Sequence, residues 1–353
     1  MSEQEFPTTA KVVVIGAGIV GNCLVGHLAR LGWTDMVLID KGPLPNPGGS
    51  TGHASNFIFP VDHNKEMALL GVQSANQYRD AKRSVDSGGI EVARTPERMD
   101  EFQRRMTSAK AWGVEAELLT PAQVKELVPF INEDVILGGF SCPSVSVVDS
   151  LDTGTLFRNE AIEKTGLKVF ANTEVLDVET EDEPGTGLQK VTAVVTDKGR
   201  IEAEYVVVAC GVWSNRIANR AGATIPLVPA VHQMADVGPM DILAETQSEI
   251  SFPIVRDMDT FCYERQSSGS MEVGSYAHRP ILHHPDDIPS NEEAALSPTE
   301  MPFTPDDFDQ QMEEAIELMD MLGDAEIKYA INGLLSLTPD AMPCLGETIE
   351  VRN

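Results

Sequence analysis

The sequence predicts a mixed α/β protein of two lobes: a Rossmann-type dinucleotide-binding lobe and a second lobe built on an antiparallel sheet. Three observations carry this. The run KVVVI at 11–15 leads through Gly16-Ala17-Gly18-Ile19-Val20-Gly21 into a helical pattern over 19–31 and a second strand, MVLID, at 36–40. Strand, tight turn, helix and strand in this order make a βαβ unit. A further strand, VVVAC at 206–210, suits the same sheet, although helical and antiparallel material lies between. From about 226 to 280 the chain alternates apolar and polar residues with few helix signals, which reads as antiparallel strands. The expectation is one discontinuous domain over 1–353. Its cofactor lobe is assembled from about 8–80, 150–222 and 325–353, and its substrate lobe from about 81–149 and 223–324.

The remaining elements follow from local signals. Residues 42–56, GPLPNPGGSTGHASN, hold too much Gly, Pro and Ser for a regular element and predict a loop with unusual backbone demands. Helical patterns run from Asp62 to about Ser84 and over 97–112. Thr120-Pro121 opens another helix, because Thr caps and Pro suits the first helical position. A helix near 153–165 ends at Gly166, and strands follow at 167–171 and 174–179. Residues 190–210 read as a hairpin turned at Asp197-Lys198-Gly199. An acidic, Pro-rich surface excursion spans 283–310. A helix near 305–322 presents Phe308, Met312, Ile316 and Met319 at helical spacing, as core packing.

Composition narrows the function. Of 353 residues, 42% are apolar, enough for a large core, and 26 Lys and Arg face 55 Asp and Glu for a net charge of −29. Such a charge repels nucleic-acid backbones and anionic lipid, so neither is expected as a partner. Five scattered cysteines without a CxxC pair predict no disulfide framework and no metal site, and favour a reducing compartment. The acidic start is neither a secretory signal nor a transit peptide, and no apolar run approaches a membrane span. A cytoplasmic protein is expected.

The chemistry begins at the glycine turn. Gly16 permits the tight turn, Gly18 lets backbone approach a pyrophosphate, and Gly21 lets helix and strand pack closely. Backbone N–H groups at the helix start then face the diphosphate, and Asp40 ends the next strand where its carboxylate reaches a ribose hydroxyl. A nicotinamide enzyme would continue with alternating βα units. Here the second strand runs into a loop offering backbone N–H groups and the hydroxyls of Ser50 and Thr51, and VVVACGVWS supplies a small-residue turn at Gly211 to back the cofactor. These features favour FAD.

Taken together, VVVIGAGIVG, IDKGPLPNPGGSTGHAS, AVHQM, GSYAHRP and LLSLTPDAMPCLGE resemble the dimethylglycine oxidase/dehydrogenase and sarcosine dehydrogenase family, within the D-amino-acid-oxidase-like superfamily. The resemblance covers essentially the whole chain in order. It implies FAD linked covalently to His53, with cofactor contacts at Ile19, Val20, Asp40, Lys41, Ser50, Thr51, Gly52, Phe57 and, through its backbone, Val175. Ser55-Asn56 follows the His-Ala pair, where the family pattern implies Pro-Gly or Ala-Gly. His232 and Tyr263 match the substrate-side residues that tune amine protonation and orient the substrate. His278 and Arg279 are further candidates, Arg279 as a partner for a substrate carboxylate.

The implied reaction is oxidation of the secondary or tertiary amine of an N-methylated glycine, dimethylglycine or sarcosine, by hydride transfer to flavin N5, giving an iminium. Oxygen or another flavoprotein would reoxidise the flavin. The alternatives are an FAD oxidoreductase of another amino acid, or an inactive, flavin-poor remnant. The resemblance also implies a C-terminal folate-binding portion beyond the TPDAMPCLGE motif, expected to be absent from a chain ending at Asn353, and it makes a mitochondrial location the alternative to the cytoplasm.

Overall fold

The computed structural model describes residues 5–353 except Glu245 and Gln247. The strand Thr9–Ile15 pairs in parallel with Met36–Ile39 on one side and with Gly199–Val208 on the other. Its alternate side chains feed two apolar clusters: Val13 and Ile15 enter one, Val12 and Val14 the other. A strand covered on both faces needs such a continuous β-branched run, which is why KVVVI does not alternate with polar residues. The complete seven-stranded sheet runs Val175–Asp182, Gln189–Thr196, Gly199–Val208, Thr9–Ile15, Met36–Ile39 and Lys168–Phe170, with Val351–Arg352 joining Gln189–Thr196.

Helix Ile19–Arg30 lies against helix Ser150–Thr165 through two glycines. A Cβ on Gly26 would stand 2.7 Å from the Phe157 ring, and one on Gly154 would stand 3.0 Å from Asn22 Nδ2. The caps expected at Thr120 and Gly166 form, and Asn64, not anticipated, caps a helix that starts at Lys65 instead of Asp62. Asn64 accepts from the backbone at the start of helix Lys65–Asp80, Thr120 and Gln123 make a reciprocal capping box, and Gly166 ends Ser150–Thr165 in the left-handed region.

A nine-stranded sheet forms the other layer, in the order Glu300–Met301, Ile327–Leu337, Val228–Val237, Ser270–Ser275, Cys262–Ser267, Ile254–Asp257, Gly89–Ala93, Gly138–Cys142 and Glu117–Leu119. All its pairings are antiparallel except Ile254–Asp257 with Gly89–Ala93. One face packs on helix Asp309–Leu318, with Phe308, Leu318 and Met319 in the core and Met312 and Ile316 at its margin. That helix is shorter than the expected 305–322, because a 3-10 turn replaces it over Asp320–Asp324.

Sheet membership at the C-terminal end differs from the expected lobe division. Ile327–Leu337, placed by sequence with the cofactor lobe, pairs along its length with Val228–Val237 and so belongs to the nine-stranded sheet. A ten-residue strand with an open edge needs a partner for its backbone groups, and this eleven-residue strand supplies one. Only Val351–Arg352 returns to the seven-stranded sheet. Among the described residues no helix is long and apolar enough to cross a membrane.

Candidate active site

A cavity of about 730 Å³ opens beyond the C-terminal ends of Thr9–Ile15 and Met36–Ile39, where parallel α/β sheets place their ligands. Every residue expected to touch the cofactor lines it except Gly21, Gly52 and His53. The glycine turn is built for close approach. Gly16 sits at φ +105°, and a Cβ there would lie 2.7 Å from the Ala209 carbonyl carbon; a Cβ on Gly21 would collide with the Gly16 carbonyl. Gly21 and Gly52 therefore work as packing positions, Gly52 because its absent Cβ leaves room for Asn46.

Asp40 has a structural role in the turn. Its carboxylate accepts from Ala17 N at 2.7 Å and Gly42 N at 2.8 Å, tying the glycine turn to the following loop. Burial pushes its carboxyl upward while these two N–H bonds pull the other way. Thr51 Oγ1 accepts from Ile19 N at 3.1 Å, so the loop also caps the helix that starts the phosphate cradle.

Two cavity residues were not anticipated. Lys41 Nζ lies 4.0 Å from the Trp213 ring centroid, and Trp213 presents a buried indole N–H that has no partner among the described residues. Arg216 also lines the wall, within 3.6 Å of Glu174. The signal for Trp213 was present in the CGVWS turn, but only the register of Gly199–Val208 brings that turn against Gly16. A buried donor awaiting an acceptor, beside a cradle that excludes any Cβ, fits a dinucleotide.

His53 stands on the far side of its loop from this cavity. Its Nε2 lies 3.1 Å from Thr299 Oγ1, and its ring packs on Gly333, where a Cβ would come within 2.8 Å. Thr299 donates its own hydrogen to Gly48 O at 3.0 Å. The Thr299 oxygen therefore accepts from Nε2–H, which leaves a lone pair on Nδ1. Burial holds the imidazole below its ordinary value, against an opposing pull from Glu300. Ser50 anchors the same loop by donating to Leu334 O at 2.6 Å.

Next to His53 the nine-stranded sheet turns an aromatic face toward the loop. The His232 ring stacks on Tyr263 at 5.6 Å between centroids and 6° between planes, and lies 4.3 Å from Tyr276. Phe57 meets Tyr263 edge-on at 4.9 Å. The structure thus brings His53, Phe57, His232 and Tyr263 together from three distant segments. Burial, then the neighbouring His278 and His53, push His232 down to about 3, and its Nε2 is buried without a partner among the described residues. It is neutral in any ordinary buffer.

Arg279 falls outside this cluster, and His278 borders it beside His232. Arg279 is exposed and pairs with Asp307 at 2.8 and 3.1 Å, while His278 Nδ1 bonds the Arg279 carbonyl. The cation on the aromatic face is instead Arg256, the cross-strand neighbour of Tyr263, 4.9 Å from the Phe59 ring. Glu91 is shared between Arg256 at 3.1 Å and Arg105 at 2.6 Å. Among the described residues, no group of three His, Cys, Asp or Glu could hold a metal ion.

The family model described as DAO, FAD dependent oxidoreductase, matches residues 11–353. Mitochondrial sarcosine dehydrogenase of Mus musculus is 30% identical over 359 residues, covering 99% of this chain and 37% of that protein. Mitochondrial dimethylglycine dehydrogenase of Rattus norvegicus is 27% identical, covering 100% of this chain and 41% of its own length. The chain thus spans well under half the length of these relatives. Among solved structures, L-proline dehydrogenase from P. horikoshii superposes with a TM-score of 0.82 at 23% identity, over 98% of this chain and 86% of that one, which shows a shared fold. From the glycine cradle to the C-terminal strand, the chain belongs to the DAO family of FAD-dependent oxidoreductases.

Proposed function

We propose that this protein oxidises the secondary or tertiary amine of an N-methylated glycine, such as dimethylglycine or sarcosine, using FAD. The observation that carries the reading is a neutral His232 and an arginine with surplus charge on one sheet face beside the cofactor loop. Two guanidiniums against the single carboxylate of Glu91 leave one positive charge. Arg105 is buried and also bonds Val61 O, whereas the Arg256 side chain is 28% exposed and lies over Phe59 on the cavity wall. The positive charge at Arg256 therefore suits a substrate carboxylate. The unpartnered Nε2 of His232 suits an amine N–H, because neutral imidazole offers one nitrogen as an acceptor.

Gly16, Gly18, Ile19, Val20, Asp40, Lys41, Ser50, Thr51, Phe57, Val175, Gly211 and Trp213 would hold FAD, whose chemistry, when bound, is acceptance of a hydride from the C–H bond next to the substrate nitrogen. The sheet face holds the substrate by both ends. It excludes water with Phe57, Tyr263 and Tyr276, and it keeps the nitrogen lone pair free beside a histidine that stays uncharged. His53 is the proposed point of covalent attachment, supported by its burial-held neutral ring and by the Nδ1 lone pair that Thr299 leaves available. Oxygen or a second flavoprotein is the proposed electron acceptor. The cytoplasm is the proposed compartment, on the scattered free cysteines; the mitochondrion named for the relatives is the alternative that cell fractionation would reveal.

The test begins with protein incubated with FAD and precipitated in acid. Flavin should stay with the polypeptide, and should leave the His53→Ala variant; acid-stable flavin on that variant would remove the covalent assignment. Turnover should convert dimethylglycine to its demethylated product. Activity on D-alanine alone would replace the substrate, and protein that takes up no FAD would sink the enzyme reading.

A further inference from the structure

The loop and the sheet face meet at a chain of hydrogen bonds that the proposed reaction leaves without a role. Tyr263 is wholly buried, its ring lying over Gly274, whose missing Cβ leaves it room. Its hydroxyl donates to Glu272 Oε1 at 2.9 Å and is also hydrogen-bonded to Ser55 Oγ. Glu272 is itself buried, and its other oxygen accepts from Arg265 Nη1 at 3.2 Å.

The directions of these bonds follow from the groups. A carboxylate ion-paired with arginine only accepts, so the phenolic hydrogen points at Glu272. The Ser55 hydrogen must then point at the phenolic oxygen. The chain is polarised from Ser55 through Tyr263 to Glu272. Its outer end is Ser55, a half-buried residue whose chain neighbours Ala54 and Asn56 line the cavity.

We propose that Ser55, Tyr263 and Glu272 form a proton relay that takes the ammonium proton from an amino-acid substrate, with Glu272 as its terminal acceptor. This rests on the amine-oxidising reading above. The substrate N–H bond breaks as its proton passes to Ser55 Oγ. Ser55 passes its own hydrogen to the Tyr263 oxygen, and Tyr263 passes its own to Glu272 Oε1. Each oxygen that gains a proton gives one on, except Glu272, and the substrate nitrogen keeps the electron pair that oxidation of the adjacent C–H bond requires. No electron changes hands, so no oxidant enters the step. Tyr263 and Glu272 act through Ser55 and are positioning residues.

Charged and titratable groups face Glu272 from its own strand and both neighbouring strands. Arg265 and Tyr263 face it from Cys262–Ser267, Asp236 pairs across from it in Val228–Val237, and Tyr276 follows the end of its own strand. Glu249 reaches it through Arg265. Burial first, and the charge of Glu272 second, hold the Tyr263 phenol well above its ordinary value, so it transmits a proton without itself ionising.

The test is anaerobic reduction of the FAD-loaded protein by dimethylglycine, sarcosine and a panel of other amino acids, followed from about pH 6 to about pH 10. Flavin loading of each variant is checked by its visible spectrum. Glu272→Gln should slow reduction about 100-fold near neutrality. The deficit should close toward high pH, where the substrate arrives as the free amine. Ser55→Ala should show the same pattern, and it carries the test alone if the buried Glu272→Gln variant does not fold. A deficit equal at every pH, or none in either variant, would overturn the relay. Reduction by another amino acid but by neither N-methylated glycine would sink the substrate assignment, and the relay would then be measured on that amino acid. If no amine reduces the flavin, both fall.

Discussion

The two halves of the candidate site are built on different plans. The candidate cofactor cavity draws on short local stretches, within 16–20, 40–41 and 49–59, and is shaped mainly by backbone, absent Cβ atoms and turn geometry. The aromatic face is made of single residues, His232, Arg256 and Tyr263 on separate strands and Tyr276 just past the end of another, brought together by register. The first plan leaves almost no steric slack. The second tunes charge and proton position through side chains that can be exchanged one at a time. Substitutions in the cavity should therefore fail by loss of cofactor, and substitutions on the face by loss of substrate handling with the cofactor retained.

The largest expected effect is at Gly16. Gly16→Ala forces a side chain into the Ala209 backbone at positive φ, and should cost on the order of 3 kcal/mol and abolish flavin uptake. Thermal unfolding and the visible spectrum of the purified variant check both. Normal uptake would break the comparison at its strongest point. Next comes Arg256→Gln, which should retain flavin yet weaken binding of an N-methylated glycine by about 2 kcal/mol, roughly 30-fold. Arg279→Gln, at an exposed pair with Asp307, should change substrate affinity little, and the reverse ranking in a substrate titration would restore Arg279 as the carboxylate partner.

A smaller effect concerns pH. Glu264, on the other face of the same strand as Tyr263, is buried with neither carboxylate oxygen bonded among the described residues, and burial, aided by Asp257, pushes it up to about 8. A carboxyl raised on folding gives stability that is present below its ordinary 4.5 and lost as pH rises to about 8. Glu264→Gln should therefore melt higher than the parent at pH 8 and close to it at pH 4.5, and the opposite trend would contradict the burial argument. His232 has the reverse sign: its ring is pushed below 6.5, so its contribution is present above 6.5 and fades as pH falls toward 3. The smallest expected change is Thr51→Val, which removes one bond to the helix start and should cost about 1 kcal/mol in chemical denaturation.

The same division explains what could be read from sequence. The βαβ unit, the caps at Thr120 and Gly166, the 190–210 hairpin and the glycine turn are encoded over short spans, where spacing and residue type decide the outcome. Gly16 and Asp40 stand out in the sequence because the turn they build depends on neighbours a few residues or one strand away. Arg256 does not. Nothing local distinguishes it from Arg279, and its importance appears only when the pairings place it between Glu91 and Tyr263. Ile327–Leu337 was misplaced for the same reason, since a strand pattern does not say which edge it will join. His53 was singled out by resemblance, and the structure adds partners that no motif contains, Thr299 and Gly333. Ser55 looked like a mere departure from the family pattern until its bond to Tyr263 was in view.

The most direct test of the account is the spectrum of FAD-loaded protein mixed anaerobically with dimethylglycine or sarcosine. The account predicts that the oxidised flavin bands bleach, and that Arg256→Gln needs more substrate to reach the same extent. Flavin that is fully bound in the cavity but reduced by neither compound would contradict it.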